Sequence, residues 1–380
     1  MPAASPPAEA VAGPVIVGMS GGVDSAVAAC LLKEAGHEVQ GLFMSNWEED
    51  EDGYCTAAKD FQDAQRVCEE IGIPLHRVSF AAEYRDRVFE HFLREYAAGR
   101  TPNPDVLCNR EIKFGVCFDF ALRLGAAQFA TGHYARVARG PGSTRLLRAR
   151  DPDKDQSYFL HAVDAERLER TLFPVGDMLK TEVRQFARER GLPVFDKRDS
   201  TGICFIGERP FRRFLETYLP ALPGPIETPE GTKLGEHRGL MFHTLGQRAG
   251  LRLGGLRGRA EAPWYVAAKD VARNALVVVQ GHDHPLLMSS GLRTEPVAWI
   301  AGRPPAGAFS CTGRFRYRQR DVACRVEAGA DGCAAVAFDR SQRAITPGQY
   351  AVFFDGETCL GGAVIAAIVG TPQPDPAGYN

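Results

Sequence analysis

The stretch Val15–Leu32, VIVGMSGGVDSAVAACLL, decides the fold of this 380-residue chain. It opens with a β-branched run, Val15–Val17, that is typical of a buried strand. Small residues follow in SGGVDS, and Ala26–Leu32 has the composition of a helix. When a strand, a tight glycine-rich turn and a helix follow one another, the free N–H groups at the start of the helix point at a ligand bound in the turn. The pattern therefore predicts a phosphate site, the alternative being a glycine-rich turn that binds nothing.

The turn sequence SGGxDS resembles the PP-loop of the ATP pyrophosphatases, which cleave ATP between the α- and β-phosphates. The chain contains no GxxxxGK[ST] and no GxGxxG after a strand, which disfavours kinase-type nucleotide enzymes and dinucleotide enzymes. We therefore expect a substrate to be adenylated by ATP, with pyrophosphate as the leaving group.

Bulk composition is that of an ordinary globular chain, with 44% hydrophobic and 24% charged residues. The formal net charge of −2 gives no global attraction to nucleic acid, so such binding would depend on local basic patches. The ten cysteines include no CxxC pair, which argues against a zinc ribbon or a thioredoxin motif. Without a secretory signal, we expect a cytoplasmic protein with mostly reduced thiols. No apolar run approaches the ~20 residues that span a membrane.

The order of predicted elements divides the chain into domains. Strands alternate with helices up to Gly132, which favours an α/β domain with a parallel sheet and helices on both faces. From about residue 290 the segments are short and alternating, as in a small β-barrel. The expected division is a disordered tail over 1–14, a PP-loop ATP-binding domain over 15–212, a small central α+β domain over 213–285, a C-terminal β-barrel domain over 286–371 and a tail over 372–380.

Within the first domain, the predicted strands after Val15–Val17 are His37–Met44, Pro74–Phe80 and Ala127–Gly132. The predicted helices are Thr56–Ile71, Ala82–Ala98, Asn109–Leu124 and Thr181–Arg190. Ligands of parallel α/β sheets bind at the carboxyl ends of the strands. The segments that follow these strands, Gly18–Ser25, Met44 and Gly132-His133, could therefore line one pocket.

Two cysteines lie in segments that are expected to be loops. Prolines 102 and 104 are expected to prevent a helix, and Cys108 stands where the next helix should begin, a position that favours the reactive thiolate. Asp105 could cap that helix or act as an acid or base, whereas the alternative is a structural cap beside a buried cysteine. Cys204 lies in the loop STGICFIG. Beside an adenylating loop, the two cysteines suggest sulfur transfer, in which one carries a persulfide and the other resolves it as a disulfide.

The other cysteines are expected to be inert, with the exception of Cys55, for which the sequence predicts neither a reactive nor a packing role. A core-packing role is favoured for those in helix patterns and in barrel segments, namely Cys30, Cys68, Cys117, Cys311, Cys324, Cys333 and Cys359.

Basic residues concentrate locally, as in Arg314–Arg320 (RFRYRQR). In a strand, all four arginines would share one face, where they could track a phosphate backbone, and Tyr317 could stack on a base. The alternative is an edge strand guarded by charge. The segment Lys154–Tyr158 also has the composition of a polar recognition loop. We expect no metal site, because His282-Asp283-His284 lacks further ligands and is more typical of a turn.

Seven motifs in this order resemble the family of tRNA-specific 2-thiouridylases, MnmA (TrmU). They are GMSGGVDS, GLFMSNWEED, TPNPDVLCNREIKF, ATGHYAR, KDQSYFL, DSTGICFIGERPF and HTLGQRAGL, with weaker matches at RYRQ and PGQ. The family implies a PP-loop domain, a small central domain and a C-terminal barrel. It also implies that sulfur is installed at C2 of the wobble uridine, position 34, in the anticodon stem-loop of tRNA.

The resemblance implies roles for individual residues. ATP, with Mg²⁺, would be bound by Gly18, Met19, Ser20, Gly21, Gly22, Val23, Asp24, Ser25, Met44 and Gly132. Cys204 would hold the persulfide, and Cys108 would form a disulfide with it as sulfur is released. Contacts to tRNA would come from Asn103, Pro104 and Asp105 at the target base, and from His133, Lys154, Asp155, Gln156, Arg316, Tyr317 and Gln349. A sulfur donor protein, either a cysteine desulfurase or a relay, would be the second partner.

Two other functions compete with this hypothesis. A PP-loop ligase that forms amide bonds would also adenylate its substrate, but it would have no use for both cysteines. A non-enzymatic RNA-binding protein could use the barrel beside an inactive nucleotide loop, but Ser20, Asp24 and Ser25 are all present, which argues against it.

Overall fold

The computed structural model describes residues 13–47, 56–140, 143–199, 211–253 and 262–370. In chain order the strands of these ranges are β1 (Val15–Met19), β2 (Val39–Ser45), β3 (Leu75–Ser79), β4 (Gln128–Thr131), β5 (Arg136–Gly140), β6 (Ser143–Leu147), β7 (Thr171–Leu172), β8 (Gly224–Glu227), β9 (Lys233–His237), β10 (Trp264–Asp270), β11 (Ala275–Gln280), β12 (Met288–Thr294), β13 (Ala298–Trp299), β14 (Phe309–Arg314), β15 (Val322–Ala328), β16 (Ala334–Arg343), β17 (Tyr350–Asp355) and β18 (Thr358–Val369). The α-helices are α1 (Val23–Glu34), α2 (Thr56–Ile71), α3 (Ala81–Tyr84), α4 (Glu90–Ala97), α5 (Pro104–Leu107), α6 (Phe118–Arg123), α7 (Ser157–Leu160), α8 (Ala165–Glu169), α9 (Lys180–Glu189) and α10 (Phe211–Tyr218). π-Helical segments span Arg85–Phe89 and Cys108–Cys117, and 3₁₀ turns span Leu240–Phe242 and Pro285–Leu287. Among the helices of the described ranges, none combines the length and the apolar character that crossing a membrane requires.

The chain forms two compact units, one of residues 1–85 and 106–207 and one of residues 86–105 and 208–380. The first unit is built on a five-stranded parallel sheet in the order β3-β2-β1-β4-β7. β1 lies in the middle and pairs in parallel with β2 and β4. Val15, Ile16 and Val17 are at most 1% exposed, because strands of a parallel sheet are covered on both faces. The predicted α/β domain with a parallel sheet is confirmed.

Small side chains let α1 lie close to this sheet. Ala26, Val27, Ala28 and Ala29 are fully buried in one core with β1 and β2. α2 has the predicted bounds, and the predicted strands of this domain lie within two residues of β2, β3 and β4. The period of the apolar residues was therefore a sufficient guide to these elements.

The helix predicted to begin at Asn109 begins at Pro104 instead. Proline is tolerated in the first turn of a helix, where its missing N–H would have no intrahelical partner, so Pro104 starts the helix that it was expected to prevent. The helix continues through the π-helical segment Cys108–Cys117, with a kink at Gly115 (φ −98°, ψ −112°). Arg167 donates hydrogen bonds to the carbonyl oxygens of Phe114 and Gly115, so the carbonyl groups at the kink are satisfied.

The second unit contains a four-stranded sheet and a barrel. The sheet has the order β10-β11-β8-β9. The strands β12, β16, β15, β14, β17 and β18 pair antiparallel in that order, and β18 returns to pair with β12. The described strands of the barrel thus close on themselves, and Phe315, Phe353 and Ile365 fill the interior. The predicted central α+β region and C-terminal barrel are confirmed.

The single strand predicted for Arg314–Arg320 is wrong, because β14 ends at Arg314 and residues 315–320 form the turn before β15. The side chain of Phe315 turns into the barrel core, and Gln319 Oε1 accepts a hydrogen bond from the Phe315 backbone N–H at 2.9 Å. Arg314 is held separately by Asp321, at 2.7 Å. The four arginines therefore do not share a strand face, which removes the geometric basis of both the phosphate-track and the edge-guard interpretations.

The cysteines expected to pack in cores do so in most cases. Buried positions are taken by Cys30, Cys68, Cys117, Cys324 and Cys359. Cys311 is only partly buried in β14, and Cys333 lies partly exposed in the turn before β16. Cys55 and Cys204 lie outside the described residues.

Candidate active site

The turn between β1 and α1 is closed by two glycines that accept no side chain. Gly21 has a φ of +71°, and a Cβ there would lie 2.2 Å from the Asp60 carbonyl oxygen. A Cβ on Gly132, which directly follows β4, would lie 2.5 Å from the backbone nitrogen of Ser25. The end of β4 thus packs backbone to backbone on the start of α1. The structure thus brings Gly132 into contact with the end of the segment Gly18–Ser25.

Hydroxyl groups fix the shape of the turn. Ser25 Oγ accepts a hydrogen bond from the Ser20 backbone N–H at 3.2 Å and donates to the Gly22 carbonyl oxygen at 3.1 Å. The N-cap of α1, Gly22, has no side chain to cap the helix. The backbone amides at this helix start therefore face the turn, an arrangement that favours an anion. Met44 lies beside the turn in β2, next to Phe43, which pairs with Met19.

Asp24, in the first turn of α1, is held by two donors from distant parts of the chain. The Tyr134 hydroxyl donates to Asp24 Oδ1 at 2.7 Å, and Lys180 Nζ lies 2.7 and 2.8 Å from the two carboxylate oxygens. Burial and the negative charge of Asp24 raise the pKa of Tyr134, so its hydroxyl remains a donor at neutral pH. Asp24 is therefore oriented before any ligand arrives.

Asp199 extends this cluster with three cations. Lys180 Nζ lies 2.8 Å from Asp199 Oδ1, and Lys154 and Arg184 each approach Asp199 to 2.7 Å. Burial opposes ionisation of Asp199, but the hydrogen bonds from Lys154 and Lys180 outweigh it and lower the pKa to about 2. Asp199 therefore stays charged and keeps the two lysines directed at the turn.

Lys197 stabilises the turn between β1 and α1 by linking it to α2. Its Nζ donates to the Gly21 carbonyl oxygen at 2.9 Å and to the carboxylates of Asp60 and Asp63 at 2.7 and 2.6 Å. Burial opposes the charge, but these hydrogen bonds raise the pKa of Lys197. The loop conformation of Gly21 is thus tied to α2 through one ammonium group.

The segment Lys154–Gln156 supports the site in three ways. Lys154 pairs with Asp199, as described above. Asp155 is buried and accepts hydrogen bonds from the Ala149 backbone N–H at 3.1 Å and from Ser157 Oγ at 2.8 Å. Gln156 Oε1 accepts from the Tyr134 backbone N–H at 2.9 Å, which holds the tyrosine against Asp24. Asp155 and Gln156 thus hold neighbouring segments of the chain in place.

His133 is buried behind the same loop. Its Nδ1 lies 2.7 Å from Thr131 Oγ1, and its ring contacts Phe114 and Phe173. Burial, together with the charge of Lys113, lowers the pKa of His133 well below its ordinary value. His133 is therefore neutral at physiological pH.

The segment around Cys108 differs from expectation at two points. Asp105 lies within the first turn of α5, because the helix begins at Pro104; it is Asn103 whose Oδ1 accepts a hydrogen bond, at 3.2 Å, from the Asp105 backbone N–H. Cys108 lies one turn further along the helix, and its side chain is buried, with 1% exposure. The burial agrees with the alternative of a buried cysteine, and the position within the helix differs from a thiolate at the helix start.

In the second unit, Arg316 and Gln349 make hydrogen bonds within the protein. Arg316 Nη2 lies 3.0 Å from the Leu245 carbonyl oxygen, 2.7 Å from that of Ala344 and 2.6 Å from Thr346 Oγ1. Gln349 Nε2 donates to the Thr101 carbonyl oxygen at 2.8 Å. Tyr317 lies in the turn beside Arg316 and is partly exposed.

Sequence reasoning missed four side chains of the site. Tyr134 and Asp199 lie inside motifs that the sequence analysis quoted, ATGHYAR and DSTGICFIGERPF, so a signal for them existed. Lys180 and Lys197 had no local signal, because their roles arise from contacts with residues more than 130 positions away.

Within the described residues no group of three or more His, Cys, Asp or Glu side chains could hold a metal ion. His284 Nδ1 accepts from the Leu286 backbone N–H at 3.2 Å, as a turn residue does.

Three protein-family models match the chain in succession. Residues 13–208 match a tRNA methyl transferase HUP domain, residues 212–280 a tRNA methyl transferase PRC-barrel domain and residues 289–365 an aminomethyltransferase β-barrel domain. Their order agrees with the parallel sheet, the smaller sheet and the closed barrel described above.

Curated relatives match over nearly the whole length. A tRNA-specific 2-thiouridylase MnmA of Marinobacter nauticus is 61% identical over 92% of this chain and 90% of the relative. The proteins of the same name from Hahella chejuensis and Chromohalobacter salexigens are 60% and 59% identical, over 93% and 95% of this chain and 97% and 94% of the relatives. These names specify sulfur as the transferred atom, whereas the domain descriptions name methyl transfer. Because the relatives are similar over 92–95% of this chain, whereas each domain model matches one part of it, the names of the relatives describe the family more specifically.

The charge cluster at Asp199 predicts a defined pH dependence of stability. Its pKa of about 2 lies below the ordinary value of 3.8, so its contribution to stability is present above about pH 4 and is lost as the pH falls towards 2. We expect Asp199→Asn to lower the free energy of unfolding by about 1–2 kcal/mol at pH 6, and by much less near pH 2. Urea unfolding at several pH values measures this.

Asp196→Asn is the matched control, because Asp196 is an exposed carboxylate nearby in sequence. It should change the free energy of unfolding by less than about 0.5 kcal/mol at either pH. An equal loss for Asp199→Asn at both pH values would mean that the ion pairs contribute nothing that depends on ionisation.

Proposed function

The chain belongs to the family of tRNA-specific 2-thiouridylases named MnmA, and from this premise we propose that it is an ATP-dependent tRNA sulfurtransferase that makes 2-thiouridine at wobble position 34. The observation that carries the proposal is identity of about 60% with thiouridylases over nine-tenths or more of both chains. An amide-forming ligase or a non-enzymatic RNA-binding protein would not account for that similarity.

In the first step, the C2 oxygen of uridine attacks the α-phosphorus of ATP, and pyrophosphate leaves. The oxygen of a carbonyl group is a poor leaving group, and transfer of AMP to it makes C2 electrophilic. The amides at the start of α1 and the lysines around Asp24 are suited to hold the pyrophosphate and to stabilise its growing charge. Lys180 is the best placed of these cations, since its Nζ lies 2.7 Å from Asp24 in the first turn of the helix.

The ion pairs of the cluster hold its cations in place for this step. Lys154, Lys180 and Arg184 pair with the carboxylates of Asp24 and Asp199. A third carboxylate, Asp151, accepts a hydrogen bond from the Lys180 backbone N–H at 2.8 Å and fixes the start of α9. Mg²⁺ usually binds through phosphate oxygens, water and one or two carboxylates. It would therefore arrive bound to the phosphates of ATP, where it would help to neutralise the charge of the departing pyrophosphate.

In the second step, sulfur replaces the adenylated oxygen. A persulfide on Cys204 attacks C2, and the thiolate of Cys108 then attacks Cys204 Sγ, so that a Cys108–Cys204 disulfide forms, the outer sulfur stays on C2 and AMP leaves. Alternatively, Cys108 first releases hydrosulfide, which then attacks C2. Cys108 is 1% exposed, so solvent has little access to this thiol before it reacts. A reductant restores both thiols, and a sulfur donor protein recharges Cys204.

Recognition of tRNA would use local features, since the net charge is −2. We assign the target base to Asn103, Pro104 and Asp105, and the remaining contacts to His133, Lys154, Asp155, Gln156, Arg316, Tyr317 and Gln349. The buried positions among these, Pro104, His133 and Asp155, would act by shaping the surface around them. Uridine 34 has to leave the anticodon stack, at a cost of a few kcal/mol that contacts elsewhere would offset. A cytoplasmic location would suit this substrate.

Substitution of the two cysteines tests the function directly. An anticodon stem-loop RNA is incubated with enzyme, ATP·Mg²⁺ and a low-molecular-weight persulfide, which can transfer its outer sulfur to the Cys204 thiolate and leave as a thiol. The nucleosides are then analysed by mass spectrometry. We expect 2-thiouridine from the wild type and from the control Cys333→Ser, and none from Cys204→Ser or Cys108→Ser, because the sulfur carrier or its resolving thiol is lost. Product from Cys204→Ser would mean that sulfur reaches C2 without a persulfide on Cys204. No product from the wild type, with AMP still formed, would support the ligase function.

Removal of the Lys180 charge tests the nucleotide site. We expect Lys180→Met to lower kcat for AMP formation by about 100-fold or more, because preorganised charge stabilises the departing pyrophosphate. Binding of tRNA, followed by fluorescence anisotropy, should change little. Lys233→Met is the control, since Lys233 is exposed and pairs with Glu236. A variant that releases AMP at the wild-type rate would remove Lys180 from the mechanism.

A substitution can distinguish the proposed phosphate contact of Arg316 from a purely structural role of its hydrogen bonds within the protein. Arg316→Ala should weaken tRNA binding and reduce the slope of log K against log salt by about 1, because one phosphate contact is lost. Thr346→Val removes one hydrogen-bond acceptor of Arg316 and keeps the arginine's charge, so it should leave the slope unchanged. An unchanged slope for Arg316→Ala, with similar losses of thermal stability in both variants, would leave only the structural role.

A further inference from the structure

Two cysteines of the barrel face each other across neighbouring strands. Cys311 in β14 is the register partner of Cys324 in β15, and their Sγ atoms lie 3.8 Å apart. Directly opposed residues of an antiparallel pair have Cα atoms about 4.5–5.5 Å apart, within the roughly 4.4–6.8 Å that a disulfide spans. Side-chain rotation alone can therefore bring the sulfurs to the bonding distance of about 2.05 Å.

The two thiols differ in access and in charge. Cys311 is partly exposed, whereas Cys324 is 2% exposed and packs in the barrel core with Phe315 and Val326. A hydrogen bond joins the two sulfur atoms, and this contact lowers the pKa of Cys311. The same hydrogen bond, together with burial, raises the pKa of Cys324. The partly exposed thiol of Cys311 therefore lies next to the buried thiol of Cys324.

We propose that Cys311 and Cys324 form a modification site of their own, a dithiol that low-molecular-weight disulfides convert to an intramolecular disulfide. The proposal rests on the register pairing, the sulfur–sulfur distance and the unequal exposure of the two side chains. It is independent of the proposed catalytic pair, Cys108 and Cys204. Disulfides found in this chain then have two distinct origins, one in each unit.

The reaction balances in two steps. The Cys311 thiolate attacks one sulfur of the oxidant, the S–S bond of the oxidant breaks, and one thiolate leaves, which gives a mixed disulfide at Cys311. Cys324 then loses its proton to that thiolate and attacks Cys311 Sγ, which expels the second thiolate. Two protein thiols are oxidised, and one small disulfide is reduced to two thiols.

The pairing also places the modification at a defined point of the barrel. The disulfide would tie together the two strands of the β14–β15 hairpin, whose turn carries Arg316 and Tyr317. Cys333 is the other partly exposed cysteine of the described barrel residues, and Phe309–Arg314 and Val322–Ala328 hold no third cysteine. The structure therefore predicts one product, with Cys333 excluded from it.

The test uses the full-length Cys108→Ser/Cys204→Ser variant, in which the proposed catalytic disulfide cannot form. The protein is treated with oxidised glutathione, its remaining thiols are alkylated, and it is digested with trypsin without reductant. Because trypsin cleaves at Arg314 and Arg320, the two cysteines fall in separate peptides. We expect mass spectrometry to find these peptides joined by a disulfide. Joining here is independent of whether the wild type makes 2-thiouridine, so the two proposals fail separately.

Single substitutions on that background give the controls. Cys311→Ser and Cys324→Ala should each abolish the joined peptide, and Cys333→Ser should leave it unchanged. Recovery of both peptides in alkylated form would overturn the proposal. So would a lasting glutathione adduct on Cys311 without the joined peptide, because Cys324 would then fail to resolve it. Preferential joining to Cys333 would equally contradict the register argument.

Discussion

The candidate site depends on the backbone contact between the end of β4 and the start of α1. A Cβ on Gly132 would lie 2.5 Å from the Ser25 backbone nitrogen, so the two segments meet without an intervening side chain. That contact fixes where the chain goes next: Tyr134, two residues on, reaches Asp24 with its hydroxyl at 2.7 Å. Because Gln156 binds the Tyr134 backbone at 2.9 Å, the loop over 151–157 is positioned by the same contact. One steric constraint thus organises three segments around the helix start.

Ion pairs then fix the orientation of the charged side chains at the candidate site. Asp24 and Asp199 are each held by Lys180, and further cations surround Asp199, so that each charged group is oriented by a neighbour of opposite sign. Exposed ion pairs add little to stability individually, and even the several pairs at Asp199 are expected to contribute only about 1–2 kcal/mol. In the proposed reaction the larger effect of these pairs would be preorganisation, since cations that are already fixed need not reorganise when charge develops on a leaving pyrophosphate.

Local periodicity and turn chemistry predicted the parallel sheet, the barrel and the glycine-rich turn between β1 and α1, because the strands, helices and turns that build them are specified by neighbouring residues. α2 was placed with its observed bounds. The sequence could not reveal Lys180, whose partner Asp24 lies 156 positions away. It misplaced the helix start at Pro104, since the same residue breaks a helix interior and favours its first turn. It read RFRYRQR as a strand by alternation alone, although Phe315 enters the core and the chain must turn to reach β15.

The burial of Cys108 bears on what its proposed role requires. The helix begins one turn earlier than expected, and the field of a helix dipole falls off within the first turn, so little thiolate stabilisation comes from that source. A resolving thiol does not need a low pKa, however, because the nucleophilicity of a thiolate falls as its pKa falls. What the reaction demands of Cys108 is access to Cys204 at the moment of attack. A buried position, with 1% exposure, keeps the thiol from other oxidants until then, whereas Cys311 in the barrel has no such protection.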